Sequence, residues 1–359
     1  MKKRVLGIVL TTVLALSSFA GCVGGTSSET EQTNAESSAD GGTSGEGADG
    51  IEYPELKIKM STTVSDQSNA SITANLFSDI VEERSGGKIK ISVYPSDQLS
   101  GGNMSKGVEM IGQGAIDCAF EPVDVLAVLD ESLLALSLPW TFESYEDAQA
   151  NLEGTGGEYI KKALNAQGIE YLGAIHNGFR QLTNNKQEVT KPEDLKNMKL
   201  RVPGGDVFVE FFKEFGADPV AMSFSELFTA LQQGTVDGQE NGFDLIVTNK
   251  FYEVQKFTTA WNYSYGAFAL VFNKATFDSY DDNTKALLQE AAAEACKVGC
   301  QNVVDTEEEK KQLVVDYAEN KLTELTPEQI EVFKSELDDY YARMKEKYGE
   351  EACTAFGIE

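Results

Sequence analysis

Apolar and polar positions along the chain switch repeatedly between a two-residue and a 3.6-residue period, and the order of the switches predicts the architecture. Leu56 to Met60 alternates as a half-buried strand does. Ala70, Ala74, Phe77 and Val81 then recur at helical spacing until Ser85, Gly86 and Gly87 supply a stop. Ile89, Ile91 and Val93 alternate again, a second helical stretch ends near Gly114, and 115–120 reads as a third strand. This strand–helix–strand–helix–strand order implies parallel strands flanked by helices. A second series begins near Ile169. Within it, Thr190 and Glu193 have capping-box spacing with Pro192 in the first turn, and 199–202 is a short strand. Ser223 and Glu226 then open a helix with Leu227, Ala230 and Leu231 on one face and Gly234 at its end. From Asp282 to about Leu322 the pattern stays helical, and Thr326 to Gln329 starts a final helix. The reading is an α/β, two-lobed fold: mixed, mostly parallel sheets flanked by helices, a long helix bridging both lobes, and a cleft between them.

The N-terminal residues break this pattern. Lys2, Lys3 and Arg4 precede an apolar run from Val5 to Leu16, the layout of a signal peptide. The run falls short of the roughly 20 apolar residues that span a bilayer. Phe19-Ala20-Gly21-Cys22 resembles a bacterial lipobox, whose cysteine becomes the lipidated N-terminus, with Phe19 standing where leucine is commoner. Residues 23–53 are mostly Ser, Thr, Gly, Glu and Ala, with little to bury, and are expected to form a disordered tether. The expected location is extracytoplasmic: lipid-anchored at Cys22 to the outer face of the cell membrane, or periplasmic, touching the membrane only through the lipid.

Charge narrows the partners. Without Lys2, Lys3 and Arg4 the chain carries 27 basic against 58 acidic side chains, which disfavours nucleic acid and requires a local positive pocket for any anionic solute. No cofactor fingerprint is present, since the glycines of the tether have neither lysine nor preceding strand. One histidine, His176, and no zinc-like spacing leave little for an enzyme or a metal site. Cys296 and Cys300, four apart on a helix with no His or third Cys nearby, read as free thiols.

Against this acidic background the chain has only five arginines, and Arg180 and Arg201 fall in a stretch, 176–202, with six Lys or Arg and three acids. Arginine is preferred where a planar carboxylate is held by two parallel hydrogen bonds. Arg201 sits in a strand among apolar neighbours and Arg180 in a glycine-containing turn. Each can equally be a paired structural charge.

The runs NGFRQLTNN, EDLKNMKLRVP, AMSFSELFTALQQGTVDGQEN and KFYEVQKF, in that order, resemble the solute-binding subunits of TRAP (tripartite ATP-independent periplasmic) transporters, with weaker matches upstream in SGGKIKISVYPSDQL, GAIDCAF and LSLPW. The resemblance implies a periplasmic-binding-protein-like fold, with one lobe from 54–177 plus about 267–306 and the other from 178–266 plus about 307–359. It also implies a small organic-acid ligand, TRAP membrane subunits as partners, and a monomer. It places the carboxylate-gripping arginine on Arg201, a second pocket arginine on Arg180, and further ligand contacts on Asn241 and Phe224. An acidic pocket residue falls at or beside Glu121. Polar residues of the first strand–helix turn correspond to Ser65, Asp66 and Gln67, and Trp261 is a candidate cleft aromatic. With Glu121 in the cleft, repulsion of a second carboxylate points to a sugar acid such as a uronate rather than a C4-dicarboxylate. The alternative is an ABC-type binding lipoprotein for a neutral sugar or peptide.

Overall fold

In the computed structural model, residues 50–358 are described; the signal peptide, Cys22 and nearly all of the tether lie outside them. Eleven strands form two mixed sheets among these residues. The first, in the order β2-β1-β3-β10-β4, contains β1 (Leu56–Thr62), β2 (Ile89–Tyr94), β3 (Cys118–Pro122), β4 (Ile169–Phe179) and, from much later in the chain, β10 (Tyr265–Asn273). The second runs β11-β9-β5-β8-β6-β7, from β5 (Gln181–Asn184), β6 (Lys199–Val202), β7 (Asp218–Ala221), β8 (Gly238–Asn241), β9 (Phe257–Ala260) and β11 (Lys321–Glu324).

The first three strands are parallel, as their helical crossovers require, with β1 between β2 and β3. Antiparallel β10 then separates β3 from β4. Its sequence YGAFALVFN is buried at every position, the composition of a central strand covered on both faces. The chain passes between sheets twice at one place: β4 runs through Arg180 into β5, and β9 runs through 261–264 into β10, the two passages joined by Arg180 N–H donating to Ser264 O at 2.8 Å.

A 35-residue helix, Asp282–Asp316, spans both lobes. Asp281 caps it by accepting from Thr284 N–H. Where it packs on the helix Asn69–Arg84, Gly299 is required, because a Cβ there would lie 2.5 Å from Thr73 Oγ1. The Asn69 side chain reaches Gly299 O at 3.0 Å and accepts from Asn302 at 2.7 Å. Asp244, on a helix following β8, accepts from Asn69 N–H at 3.1 Å and from Lys310 at 2.7 Å. Both lobes are therefore tied to the long helix behind the cleft.

Several expectations are displaced. The long helix stops at Asp316 rather than near Leu322, because Lys321–Glu324 adds a parallel edge strand to β9. The third strand starts three residues later than the alternation suggested: Gly114 turns at φ 73° and residues 115–116 fold back to Met110 O, which brings Glu121 into β3. Arg180 lies in an extended passage between strands, not in a turn. At the 190–195 segment the reciprocal acid is Asp194, whose carboxylate accepts from the N–H groups of Thr190 and Lys191, and the element is a single 3₁₀ turn, Pro192–Leu195. Ser223 opens the helix Phe224–Gln233 without a side-chain cap. The capping box at Thr326 and Gln329 does form.

Candidate functional site

The cleft between the two sheets narrows to a cavity of about 20 Å³, space for roughly one water. The end of β4 supplies Asn177 and the passage between sheets supplies Arg180, β6 supplies Arg201, β8 supplies Asn241, and the first turn of Phe224–Gln233 supplies Phe224. The residue after β1 supplies Thr63 and the helical turn Val123–Leu126 after β3 supplies Asp124, and Met104, Val125, Pro203 and Leu245 are among the apolar walls.

Arg201 is 1 % exposed, and among the described residues no carboxylate forms an ion pair with it. Its Nε and Nη2 both donate to Met222 O, at 3.0 and 2.8 Å. That carbonyl consumes one edge of the guanidinium, and the Nη1–Nη2 edge keeps its donors for a second planar acceptor. The guanidinium also lies over the Phe224 ring, 5.7 Å from its centroid. Burial, with Arg180's charge adding to it and Glu240 opposing, pushes Arg201 down to about 10, so it stays cationic at neutral pH.

Arg180 is used differently. Its Nε–Nη2 edge is held by both carboxylate oxygens of Glu240, whose Oε2 also accepts from Tyr263 Oη at 2.7 Å. Burial works against the Arg180 charge, but Glu240 outweighs it and raises the pKa. Only Nη1 is left over, 3.8 Å from Asp124 Oδ2. Burial raises the pKa of Asp124, and the charge of Arg180 works against that shift.

On β8, Asn241 donates to Gln239 Oε1 at 2.5 Å. Gly242 follows it because the chain crosses β4 closely there: a Cβ would sit 2.7 Å from Asn177 O. Asn177 itself carries a buried Oδ1 with no partner among the described residues.

The structure thus brings Arg180, Arg201, Phe224 and Asn241 to one cavity. It does not bring Glu121, Gln67 or Trp261 there. Glu121 is fully buried beneath the wall, takes a hydrogen bond from the Thr63 hydroxyl, and is pushed well above the usual carboxylate range by burial and then by neighbouring Asp97. Gln67 and Asp66 are exposed, and the residues reaching the cavity from that stretch are Thr63 and Val64. Trp261 is 2 % exposed, packed among Trp140, Phe211, Phe212 and Phe333 beside a separate groove of about 310 Å³. His176 is buried against Tyr265, and burial lowers it to about 4. Cys296 and Cys300 are buried free thiols. Sequence reasoning missed Asn177, Asp124 and Glu240. Their signals were the head of NGFRQLTNN, a lone acid in the apolar stretch Pro122 to Leu126, and the acid of the DGQEN run.

Two mixed sheets exchanging strands beneath a cavity, with one long helix spanning both lobes, define an α/β binding protein of the two-lobed periplasmic type. The chain belongs to bacterial extracellular solute-binding protein family 7, whose model matches residues 60–347. It is similar to the 2,3-diketo-L-gulonate-binding periplasmic protein of Escherichia coli, 32 % identical over 67 % of this chain and 72 % of the other. With the C4-dicarboxylate-binding protein of Bacillus subtilis it shares 29 % identity over 83 % and 84 %. Among solved structures, a TRAP periplasmic solute binding protein from Ralstonia eutropha with bound (S)-2-acetolactate superimposes with TM-score 0.80 at 30 % identity, over 84 % of this chain and 98 % of that one. This is a non-enzymatic, extracytoplasmic solute-binding family of TRAP transport. Among the described residues no helix is long and apolar enough to cross a membrane.

Proposed function

We propose that this protein captures a small organic acid, of the sugar-acid kind such as a uronate, by pairing its carboxylate with Arg201. Closure of the lobes, 54–177 plus about 267–306 against 178–266 plus about 307–359, buries the ligand, and the closed form passes it to TRAP membrane subunits. The lobes rotate about the strand passages at Arg180 and 261–264. Residues Asn241, Phe224 and Arg180 complete the grip. Cys22 carries the lipid that holds the monomer at the outer face of the membrane, with 23–53 as tether.

One observation carries the reading: a buried, cationic Arg201 with one free donor edge faces the cavity, while the other arginine is already neutralised by Glu240. A buried charge without a partner is costly, and a ligand carboxylate supplies the missing partner. The relatives named above bind a sugar-derived acid, dicarboxylates and a hydroxylated oxo acid, which share a carboxylate.

The test is a thermal-shift screen of sugar acids, dicarboxylates and 2-oxo acids, followed by calorimetry on Arg201→Ala. Deleting one member of a buried pair costs about 2–5 kcal/mol, a loss of roughly thirty- to several-thousand-fold in affinity. Binding by Arg201→Ala within about threefold of the parent protein would overturn the anchor.

A further inference from the structure

Among the described residues that line the cavity, Asp124 is the single carboxylate, and no other described side chain hydrogen-bonds to it. Glu240 and Glu121 do not line it: Glu240 is held by Arg180 and Tyr263, and Glu121 takes a hydrogen bond from Thr63 while its Oε1 stays buried without a partner among the described residues, away from the cavity. No other described residue hydrogen-bonds to the Asp124 carboxylate, whose partners are its own backbone N–H and the loose 3.8 Å approach of Arg180 Nη1. The Asp124 side chain is nevertheless 6 % exposed and lies against the same cavity as the free edge of Arg201. A buried carboxylate has about four lone-pair sites to satisfy, and leaving them unmet is unfavourable.

Its position gives it a second role. Asp124, Met104, Val125 and Pro203 line both the 20 Å³ cavity and an adjoining groove of about 440 Å³ that also touches both lobes. A ligand whose carboxylate sits on Arg201 and whose chain extends towards that groove must pass Asp124.

We infer that Asp124 sets the ligand class: its carboxylate accepts hydrogen bonds from the hydroxyls of a polyhydroxy monocarboxylate and repels a second carboxylate. This rests on Arg201 being the anchor and adds to it the choice among acids. Hydroxyls are donors that satisfy Asp124, whereas a second carboxylate brings like charge against a group already out of water. The role expected for Glu121 thereby moves three residues along the chain, to an acid that faces the void.

Four six-carbon probes separate the two terms: gluconate has hydroxyls and one carboxylate, galactarate hydroxyls and two, hexanoate neither hydroxyls nor a second carboxylate, adipate two carboxylates alone. Calorimetry is run on the full folded chain, on Asp124→Asn, on Asp124→Ser and on Arg201→Ala, with circular dichroism confirming the fold of each variant. The parent protein is expected to prefer gluconate to galactarate and to hexanoate by about tenfold or more. Asp124→Asn, which keeps the shape and removes the charge, narrows the gluconate-to-galactarate ratio by about tenfold. Asp124→Ser does the same if the amide variant misfolds. An unchanged ratio in both variants, or a parent protein that prefers adipate to gluconate, overturns the assignment of Asp124. Loss of all binding in Arg201→Ala, with that unchanged ratio, leaves the anchor standing and removes only the selector. Retained binding in Arg201→Ala removes the anchor and, with it, the assignment of Asp124.

Discussion

At the scale of single residues, the two arginines of the cavity have opposite lives. Arg180 has one edge taken by Glu240 and only Nη1 left over, and Arg201 is anchored through a backbone carbonyl so that one edge stays available. Arg201→Lys keeps the charge but cannot span Met222 O and a ligand carboxylate together. Neither assignment was decidable from spacing, because the partner acid lies 60 residues from Arg180 and meets it only through β5–β8 pairing. Motif resemblance pointed to Arg201, Arg180, Asn241 and Phe224, and these four line one cavity. Asp124 stayed hidden because an acid in an apolar run looks like a surface exception. His176 makes a separate prediction. Its folded pKa of about 4 lies below the ordinary 6.5, so the unfolded chain binds the proton first. The stability held by a neutral His176 is complete above about pH 6.5 and is lost as pH falls towards 4, about 3 kcal/mol in all. Asp97, which burial pushes up to about 6, acts in the opposite direction over an overlapping window. The comparison is therefore between parent and His176→Gln. Denaturant unfolding at pH 7.5 and 4.5 should show the parent losing more on acidification, and an equal loss in both would count against a neutral buried imidazole.

Among the elements, periodicity identified the first three strands, the strand 199–202 and the main helices but not β5 or β7 to β11, and the ends were set by groups far away in sequence. The long helix gave way to β11 because β9 offered an open edge, which no local pattern announces. The shift of β3 followed from a glycine turn, and Glu121 lies within the strand, fully buried. The packing of Asp282–Asp316 on Asn69–Arg84 depends on Gly299 far more than on helix preference. Alanine favours a helix over glycine by about 1 kcal/mol. A Cβ 2.5 Å from Thr73 Oγ1 and 3.0 Å from an Ile175 methyl should reverse that sign. Gly299→Ala is expected to destabilise by about 1–3 kcal/mol, read from the denaturant midpoint; a raised midpoint would show the two helices have room to part.

For the whole molecule, the lobes also meet at the mouth of the cleft, where Ser225 Oγ donates to Gly102 O at 2.7 Å. A Cβ on Gly102 would stand 3.4 Å from Ser225 Cβ, close to the spacing a disulfide bridges. The four cysteines among the described residues are all buried, so they offer little competition. Gly102→Cys with Ser225→Cys should therefore cross-link under mild oxidation, despite some strain at φ 83°. Once oxidised, the protein should exchange ligand far more slowly than after reduction. Equal exchange rates in the two states would mean that ligand enters without the lobes parting there.

The passage of the chain through Arg180 has a consequence for engineering new cargo. If the lobes close about this passage as proposed, Arg180 stands on the backbone that twists, and because its N–H stitches that backbone to Ser264, altering it changes recognition and mechanics in one stroke. Asp124 and Arg201 stand off that axis. A designer can retune what is chosen at those two positions while the machinery that swings the halves together is left as it was.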